Sequence, residues 1–421
     1  MGCLGIVGDE FECDITNVAH GGVFVARHDG RVVFVADALV GERVRVRVTD
    51  SEKSRFWRAE TVAVIEPSAH RRDHVWAEAS VDRPPENRPG GAEFGHIDLA
   101  YQRELKSKVL ADAFERVGKM PLATLFAESV SVHAVGTDDD SNGLHWRTRV
   151  RLHSDAQGQV GPFAARTHRV IPVTTLPLAA TDIGSIMPRN LSLHGPGAID
   201  FVAPGGANAR QIDADSPLVV TEHVGPRVFQ VRARGFWQVH RDAAPTLTRA
   251  VGDAIDSALL EPQAANLDLY GGVGLLAAAL GDIAGPTTRM TTVESDADAT
   301  DFAAENLAEW VGARAVTATV ERYLREQHTQ SSKTERARFA RATVILDPPR
   351  SGAGRSVIEA LSVLAPAQII YVACDPVALA RDTALLATQG YQISHLRAFD
   401  LFPHTHHFEC VARFTPLGQN A

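Results

Sequence analysis

Hydrophobic and polar positions alternate with a period of two near the start of the chain. In "CDITNVAHGGVFVARHDGRVVFVADALVGERVRVRV", Val, Phe and Ile exchange with polar residues, and Gly21–Gly22, Asp29–Gly30 and Gly41 punctuate the runs. That pattern predicts short strands joined by tight turns. Short strands of this kind remove their exposed edges by closing, so a small β-barrel is expected over 1–66. The period then changes. "IDLAYQRELKSKVLADAFERV" carries apolar residues at helical spacing. "LHWRTRVRLHSD" and "VGPFAARTHRVIPV" read as strands, and "HGPGAIDFVAPGGANARQIDADS" as a turn-rich surface meander. From about residue 235, strand, turn and helix repeat four times: "AANLDLYGGVGLLAAAL", "RMTTVESDADATDFAAENLAEW", "ATVILDPPRSGAGRSVIEAL" and "AQIIYVACDPVALARDTALL". Such alternation predicts an α/β domain with a doubly wound parallel sheet, which binds ligands at the carboxyl ends of its strands.

Composition adds bounds. The 421 residues are 45% hydrophobic and 22% charged, ordinary for a globular protein of two or three domains. No apolar run approaches a membrane span, and the N-terminal segment has neither a basic start nor a signal-like core. Ile6 stands where a myristoylation motif wants Ser or Thr. Cys3, Cys13, Cys374 and Cys410 are scattered, which suits a reducing cytoplasm and argues against a disulfide framework or a thiolate zinc site. The net charge of −9 requires any nucleic acid to be met by local basic patches. Two are candidates. Arg43, Arg45 and Arg47 share one strand face ahead of "KSRFWR", whose Phe56 and Trp57 suit base stacking. Arg147, Arg149 and Arg151 also alternate, with Arg166, His168 and Arg169 near in sequence. A solvated, charge-blunted strand is the competing reading of each.

The chemistry gathers in the last region. Gly271, Gly272 and Gly274 lie in the first strand-to-helix turn, where glycines let a backbone approach a nucleoside. A dinucleotide cradle started at Gly272 would need glycine at Ala277, so S-adenosylmethionine leads and NAD follows. Glu294, at the end of the next strand, is placed to accept ribose hydroxyls. "LDPPRSG" sets Asp347 at a strand end. Arg350 stands where amine methyltransferases carry an aromatic ring, which leaves attack on carbon open. Carbon 5 of a pyrimidine becomes nucleophilic once a thiolate adds to carbon 6, and a base must later remove the carbon-5 proton. Cys374 and Glu409 suit those two roles. Cys374 is expected beside a helix N-terminus, with Asp375 as N-cap and Pro376 as first helical residue, a setting that lowers a thiol pKa. Cys410 reads as buried filler. A metal site at His404, His406 and His407 is disfavoured for want of a nearby cysteine or acidic cluster.

Five segments in order, "GFWQVH", "LDLYGGVG", "VILDPPRSG", "YVACDPVALARD" and "FDLFPHTHHFE", resemble the RNA uracil-5-methyltransferase family, and the N-terminal barrel resembles a TRAM domain. The resemblance implies a class I methyltransferase domain over 97–118 and 235–421, a TRAM-like barrel over 1–66, and a central mixed α+β RNA-binding domain over 67–96 and 119–234. It implies that Gln238, Tyr270, Glu294 and Asp347 line the cofactor and base site, with Cys374 as nucleophile and Glu409 as base. The substrate would be tRNA or rRNA, and the protein a cytoplasmic monomer. An RNA-binding or RNA-folding factor with little turnover is the alternative. Many relatives carry an iron–sulfur cysteine cluster near the segment matching 70–100; this chain has none there, so no cluster is expected. Gly271 stands where cysteine is common, Leu275 for a small polar residue, Thr319 for Asn or Asp, and His240 for Asn.

Overall fold

The computed structural model describes residues 7–53, 55–165, 167–187, 196–205 and 207–418. Cys3, the Ile6 reading and Arg166 lie outside the described residues.

The alternating N-terminal segment closes into a barrel in the order Glu10–Ala19, Val23–His28, Arg31–Ala36, Phe56–Glu66, Arg43–Asp50. Val33, Val35, Val44, Val46, Val48 and Trp57 fill it. Two expectations change here. Phe56 and Trp57 are consecutive on one strand, so they face opposite sides; Trp57 is 3% exposed and points inward, away from any base. Arg43, Arg45 and Arg47 do share the outer face, but they meet Glu12, Glu12 and Glu10 across the strand pair at 3.3–3.6 Å. The face is therefore near neutral rather than a basic stripe.

The eight-stranded sheet runs Ala313–Thr317, Met290–Glu294, Asn266–Leu269, Thr343–Leu346, Gln368–Ala373, Glu409–Pro416, Tyr391–Phe399, Val132–His133. The first five strands are mutually parallel, and Glu409–Pro416 is inserted antiparallel. Three inner parallel strands, Asn266–Leu269, Thr343–Leu346 and Gln368–Ala373, are buried throughout, as helices on both faces require, while the edge strand Ala313–Thr317 is partly exposed. The helix Leu99–Ala113 packs on this sheet; Lys106 makes a fully buried ion pair with Asp400 and donates to the Phe402 carbonyl. Strand Val132–His133 also joins the sheet, at its edge beside Tyr391–Phe399. The central assignment of 119–234 therefore does not hold at that end.

The chain between the barrel and the first parallel strand forms a four-stranded sheet, Arg210–Ile212, Gly197–Val202, Arg149–Ser154, Val160–Gly161. Gly197–Val202 falls within the segment read as a surface meander; it is an inner strand, with Ile199, Asp200, Phe201 and Val202 buried. The flanking glycines and prolines hid it. Arg149 and Arg151 are held by Glu222 at 3.0 Å and Asp200 at 2.7 Å. That row too is largely internal ion pairing rather than free cation. A hairpin, Val219–Val224 with Arg227–Arg232, completes the region and ties to the catalytic helices through Arg232–Asp298 at 3.1 Å.

Candidate active site

A cavity of about 960 Å³ opens at the carboxyl ends of the parallel strands. That is the range of ligand sites in such sheets. Gln238, Tyr270, Glu294, Asp347, Cys374 and Glu409, the six residues singled out from sequence, all line it.

The glycine turn forms the floor. Gly274 has φ +88° and opens the helix Leu275–Ala284, while Tyr270 itself adopts φ +62°. Left-handed backbone at a tyrosine costs energy and persists only where surroundings impose it. At Gly271 the constraint is contact: a Cβ would fall on Thr292 Oγ1 and 2.7 Å from Asp268 Oδ2. Thr292 thus occupies the space that any side chain at this position would need. Glu294 Oε2 accepts from Gly272 N–H at 3.2 Å, and its Oε1 accepts from Asp296 N–H at 2.9 Å. Asp268 Oδ2 accepts from Ala277 N–H at 3.1 Å, but its Oδ1 is buried without a hydrogen-bond partner. Burial, then the nearby Asp347 charge, pushes the Asp268 carboxyl up to about 7. Thr319 caps the helix Val320–Gln330 by accepting from Arg322 N–H at 3.3 Å. Its oxygen is therefore engaged in the cap while its residue lines the cavity.

S-adenosylmethionine fits this floor. The turn has no side chains where a nucleoside backbone contact is needed. Glu294 carries a carboxylate at the second strand end, and Asp268 Oδ1 is an acceptor without a donor. Gln238 lies on the cavity wall, its neighbour Trp237 turned inward against Phe229 at 5.5 Å. His240 is buried and bonds Asp138 at 3.0 Å, stacking on Trp146; it braces the Gln238 segment from behind.

Cys374 and Glu409 come from adjacent strands. Ala373 pairs with Cys410, so Cys374 and Glu409 are the next cross-strand neighbours. Cys410 points to the other face and is fully buried. Asp375 is the N-cap, its Oδ1 accepting from Val377 and Ala378 N–H at 2.9 and 2.8 Å, and Pro376 opens the helix Pro376–Thr388. The expected lowering of the thiol does not follow. Burial, then the Glu409 and Asp347 charges, pushes Cys374 up to about 12, with Arg350 opposing. The helix N-terminus is spent on Asp375, whose own charge adds to the rise. Glu409 is 4% exposed, its Oε2 has no partner, and burial beside Asp347 holds its carboxyl well above the usual range. Asp347 is only half-buried, but desolvation pushes it up to about 7 as well. Burial thus favours the protonated form of all three groups, and Arg350 opposes it at Cys374 and Glu409.

Sequence reasoning missed the residues that set this geometry. Asp382 Oδ2 accepts from Tyr371 Oη at 2.7 Å and from Ala353 and Gly354 N–H at 2.8 and 3.1 Å. It thereby ties the loop after Asp347 to the helix after Cys374. Asp382 ends the "CDPVALARD" motif, but nothing in its spacing announces a partner eleven residues back. Asp268, also missed, lines the cavity together with Arg350 and His407, which the sequence had already singled out. Among the described residues no group of three or more His, Cys, Asp or Glu side chains is arranged to hold a metal ion, and no helix is long and apolar enough to cross a membrane.

A doubly wound sheet with a glycine turn, an acid at the second strand end and a cavity at the carboxyl edge defines a class I methyltransferase, here preceded by a small β-barrel. A family model for tRNA (uracil-5-)-methyltransferase matches residues 262–414, and one for the TRAM domain matches residues 6–62. An uncharacterized RNA methyltransferase of Streptomyces coelicolor is 34% identical over 99% of this chain and 95% of its own. A 23S rRNA (uracil(1939)-C(5))-methyltransferase of Shewanella halifaxensis is 26% identical over 95% and 94%. The crystal structure of a Pyrococcus abyssi tRNA (uracil-54, C5)-methyltransferase in complex with S-adenosyl-L-homocysteine covers 96% of this chain and 99% of its own, with a TM-score of 0.66 at 18% identity. The chain belongs to the RNA uracil-5-methyltransferase family and is an S-adenosylmethionine-dependent enzyme.

Proposed function

We propose that this enzyme methylates carbon 5 of a uridine in tRNA or rRNA through a transient bond between Cys374 and carbon 6 of the ring. The observation that carries the reading is the cross-strand placement of Cys374 beside Glu409 in one cavity with Asp347, Arg350 and the glycine turn. The target base must leave its stack to enter such a cavity. Cys374, as thiolate, adds to carbon 6, and the ring electrons move toward carbon 5 and the carbon-4 oxygen. Arg350 is the cation available to offset that charge. S-adenosylmethionine, when bound, supplies an electrophilic methyl group to the nucleophilic carbon 5. Glu409, as carboxylate, then takes the carbon-5 proton; the electron pair restores the ring double bond and the carbon–sulfur bond breaks, returning the thiolate. Gln238 and Asp347 hold base and cofactor against the wall, Tyr270 and Glu294 the nucleoside end.

RNA contact by the barrel rests on part of the patch the sequence suggested, Phe56 with Lys53 and Arg58, joined by Phe34 in place of Trp57. Phe34 and Phe56 meet edge-on at 5.3 Å on the outer face, with Lys53 and Arg58 above Phe56 at 5.2 and 5.8 Å. Aromatic faces flanked by cations suit unstacked bases and phosphate.

Glu409→Gln tests the mechanism. The variant is expected to form a methylated protein–RNA adduct that persists through denaturing electrophoresis, because no carboxylate removes the carbon-5 proton. Turnover at the wild-type rate would take Glu409 out of the reaction.

A further inference from the structure

The turn between the first two barrel strands leaves the barrel and rests on the catalytic wall. His20 Nε2 lies 2.8 Å from Asp375 Oδ2. Gly22, with φ +70°, is pressed on His406; a Cβ there would stand 3.0 Å from the ring's Nδ1. The His406 ring lies 3.9 Å from that of His407, which lines the cavity. The barrel thus touches the neighbours of both Cys374 and Glu409.

Asp375 divides its carboxylate between two tasks. Oδ1 caps the helix, and Oδ2 faces the barrel. The charges that bear on the Cys374 sulfur come from every element around it: Glu409 from the inserted strand, Asp347 and Arg350 from the loop after Thr343–Leu346, and Asp375 from its own helix. Three of these four resist a thiolate. His20 is the group from the barrel set against one of the three.

We propose that His20 is a positioning residue for the methyl transfer: seated on Asp375 at 2.8 Å, its protonated ring offsets that carboxylate's charge and holds it in its capping geometry, so that the Cys374 thiolate forms more readily. The inference rests on reading Cys374 as the nucleophile, and it makes the barrel part of the active site rather than only a handle for RNA. Both partners are partly exposed, 46% and 21%, so solvent screens the pair and the effect is modest.

The test uses the full-length protein without RNA. Iodoacetamide alkylation of the Cys374 peptide is followed by mass spectrometry at pH 6, where an ordinary imidazole carries its charge, with the buried Cys13 peptide as control. His20→Ala is expected to slow alkylation roughly two- to fivefold. His20→Lys, which keeps a cation, is expected to restore the rate, and His20→Gln, which keeps only a hydrogen-bond donor, is not. In multiple-turnover methylation, kcat should fall by a similar factor with KM for RNA unchanged. Alkylation of His20→Ala at the wild-type rate overturns the proposal, as does failure of Lys to restore it or full rescue by Gln. Alkylation needs no methyl transfer, so a failure of the nucleophile reading would show separately, as methylation surviving the loss of Cys374.

Discussion

Substituting Gly271 isolates one contact in the cofactor turn. Its φ is not in the left-handed region, so alanine brings no backbone strain. Its N–H donates to the Val293 carbonyl at 3.1 Å and its carbonyl accepts from Gly274 N–H at 2.9 Å, which pins the backbone. The added methyl falls on Thr292 Oγ1 and 2.7 Å from Asp268 Oδ2. Thr292 is fully buried on a sheet strand and β-branched, so it yields little. Overpacking of this kind costs about 1–3 kcal/mol, and the stiff neighbour puts Gly271→Ala in the upper half. Thr292→Ala alone loses a 3.3 Å bond to Asp268, about 1 kcal/mol. If the clash governs, the double variant costs less than the sum by about 1–2 kcal/mol. Urea unfolding measures the stabilities, and calorimetry the S-adenosylmethionine affinity. That affinity should fall about tenfold in the single variant for each 1.4 kcal/mol by which the turn is displaced, and largely return in the double. Strict additivity, or an alanine variant as stable and as tight as wild type, would refute the reasoning.

Other outcomes follow from buried charge. Lys106→Met leaves Asp400 unpaired inside the protein and should cost about 3–5 kcal/mol in urea unfolding, whereas Lys106→Met with Asp400→Leu should recover most of it. The Asp268 carboxyl is raised to about 7, so its stabilising effect is full below its ordinary pKa and is lost as pH rises through 7. Asp268→Asn should flatten the decline of stability between pH 4 and 7, by at most about 1.4 kcal/mol per pH unit; an unchanged slope would mean the group is not proton-bearing in the fold. Cys374 and Glu409 are both raised, and the proposed mechanism uses both deprotonated, so single-turnover methylation should climb with pH from 6 to 9. A rate flat across that range in stopped reactions would contradict their raised pKa values or their proposed roles.

Much of this was legible because local periodicity and strand-end placement are local properties. The barrel strands, the four strand–turn–helix repeats, the Asp375 cap and the strand-end placement of Glu294, Asp347 and Cys374 follow from short windows of sequence, while Gln238 and Tyr270 came only with the family resemblance. What escaped depends on partners far along the chain. Arg43, Arg149 and Arg151 read as RNA-facing cations until Glu12, Glu222 and Asp200 arrive from other strands. Cys374 read as acidified because the cap was visible, while Glu409 and Asp347, which reverse the effect, approach only through the inserted antiparallel strand and the neighbouring loop. Trp57 is a different case: alternation already set it opposite Phe56, and composition overrode the period. Likewise, glycines and prolines around Gly197–Val202 masked a strand that its buried Ile199, Phe201 and Val202 secure by packing.

The account stands on a covalent bond between Cys374 and the target ring. RNA carrying 5-fluorouridine lacks the proton that Glu409 would remove, so the reaction should stop with enzyme, methyl group and RNA joined. Intact-mass analysis is expected to show that methylated adduct, peptide mapping to place it on Cys374, and Cys374→Ser to form none. Methylation of uridine by Cys374→Ser at the wild-type rate, or an adduct mapped to another residue, would contradict it.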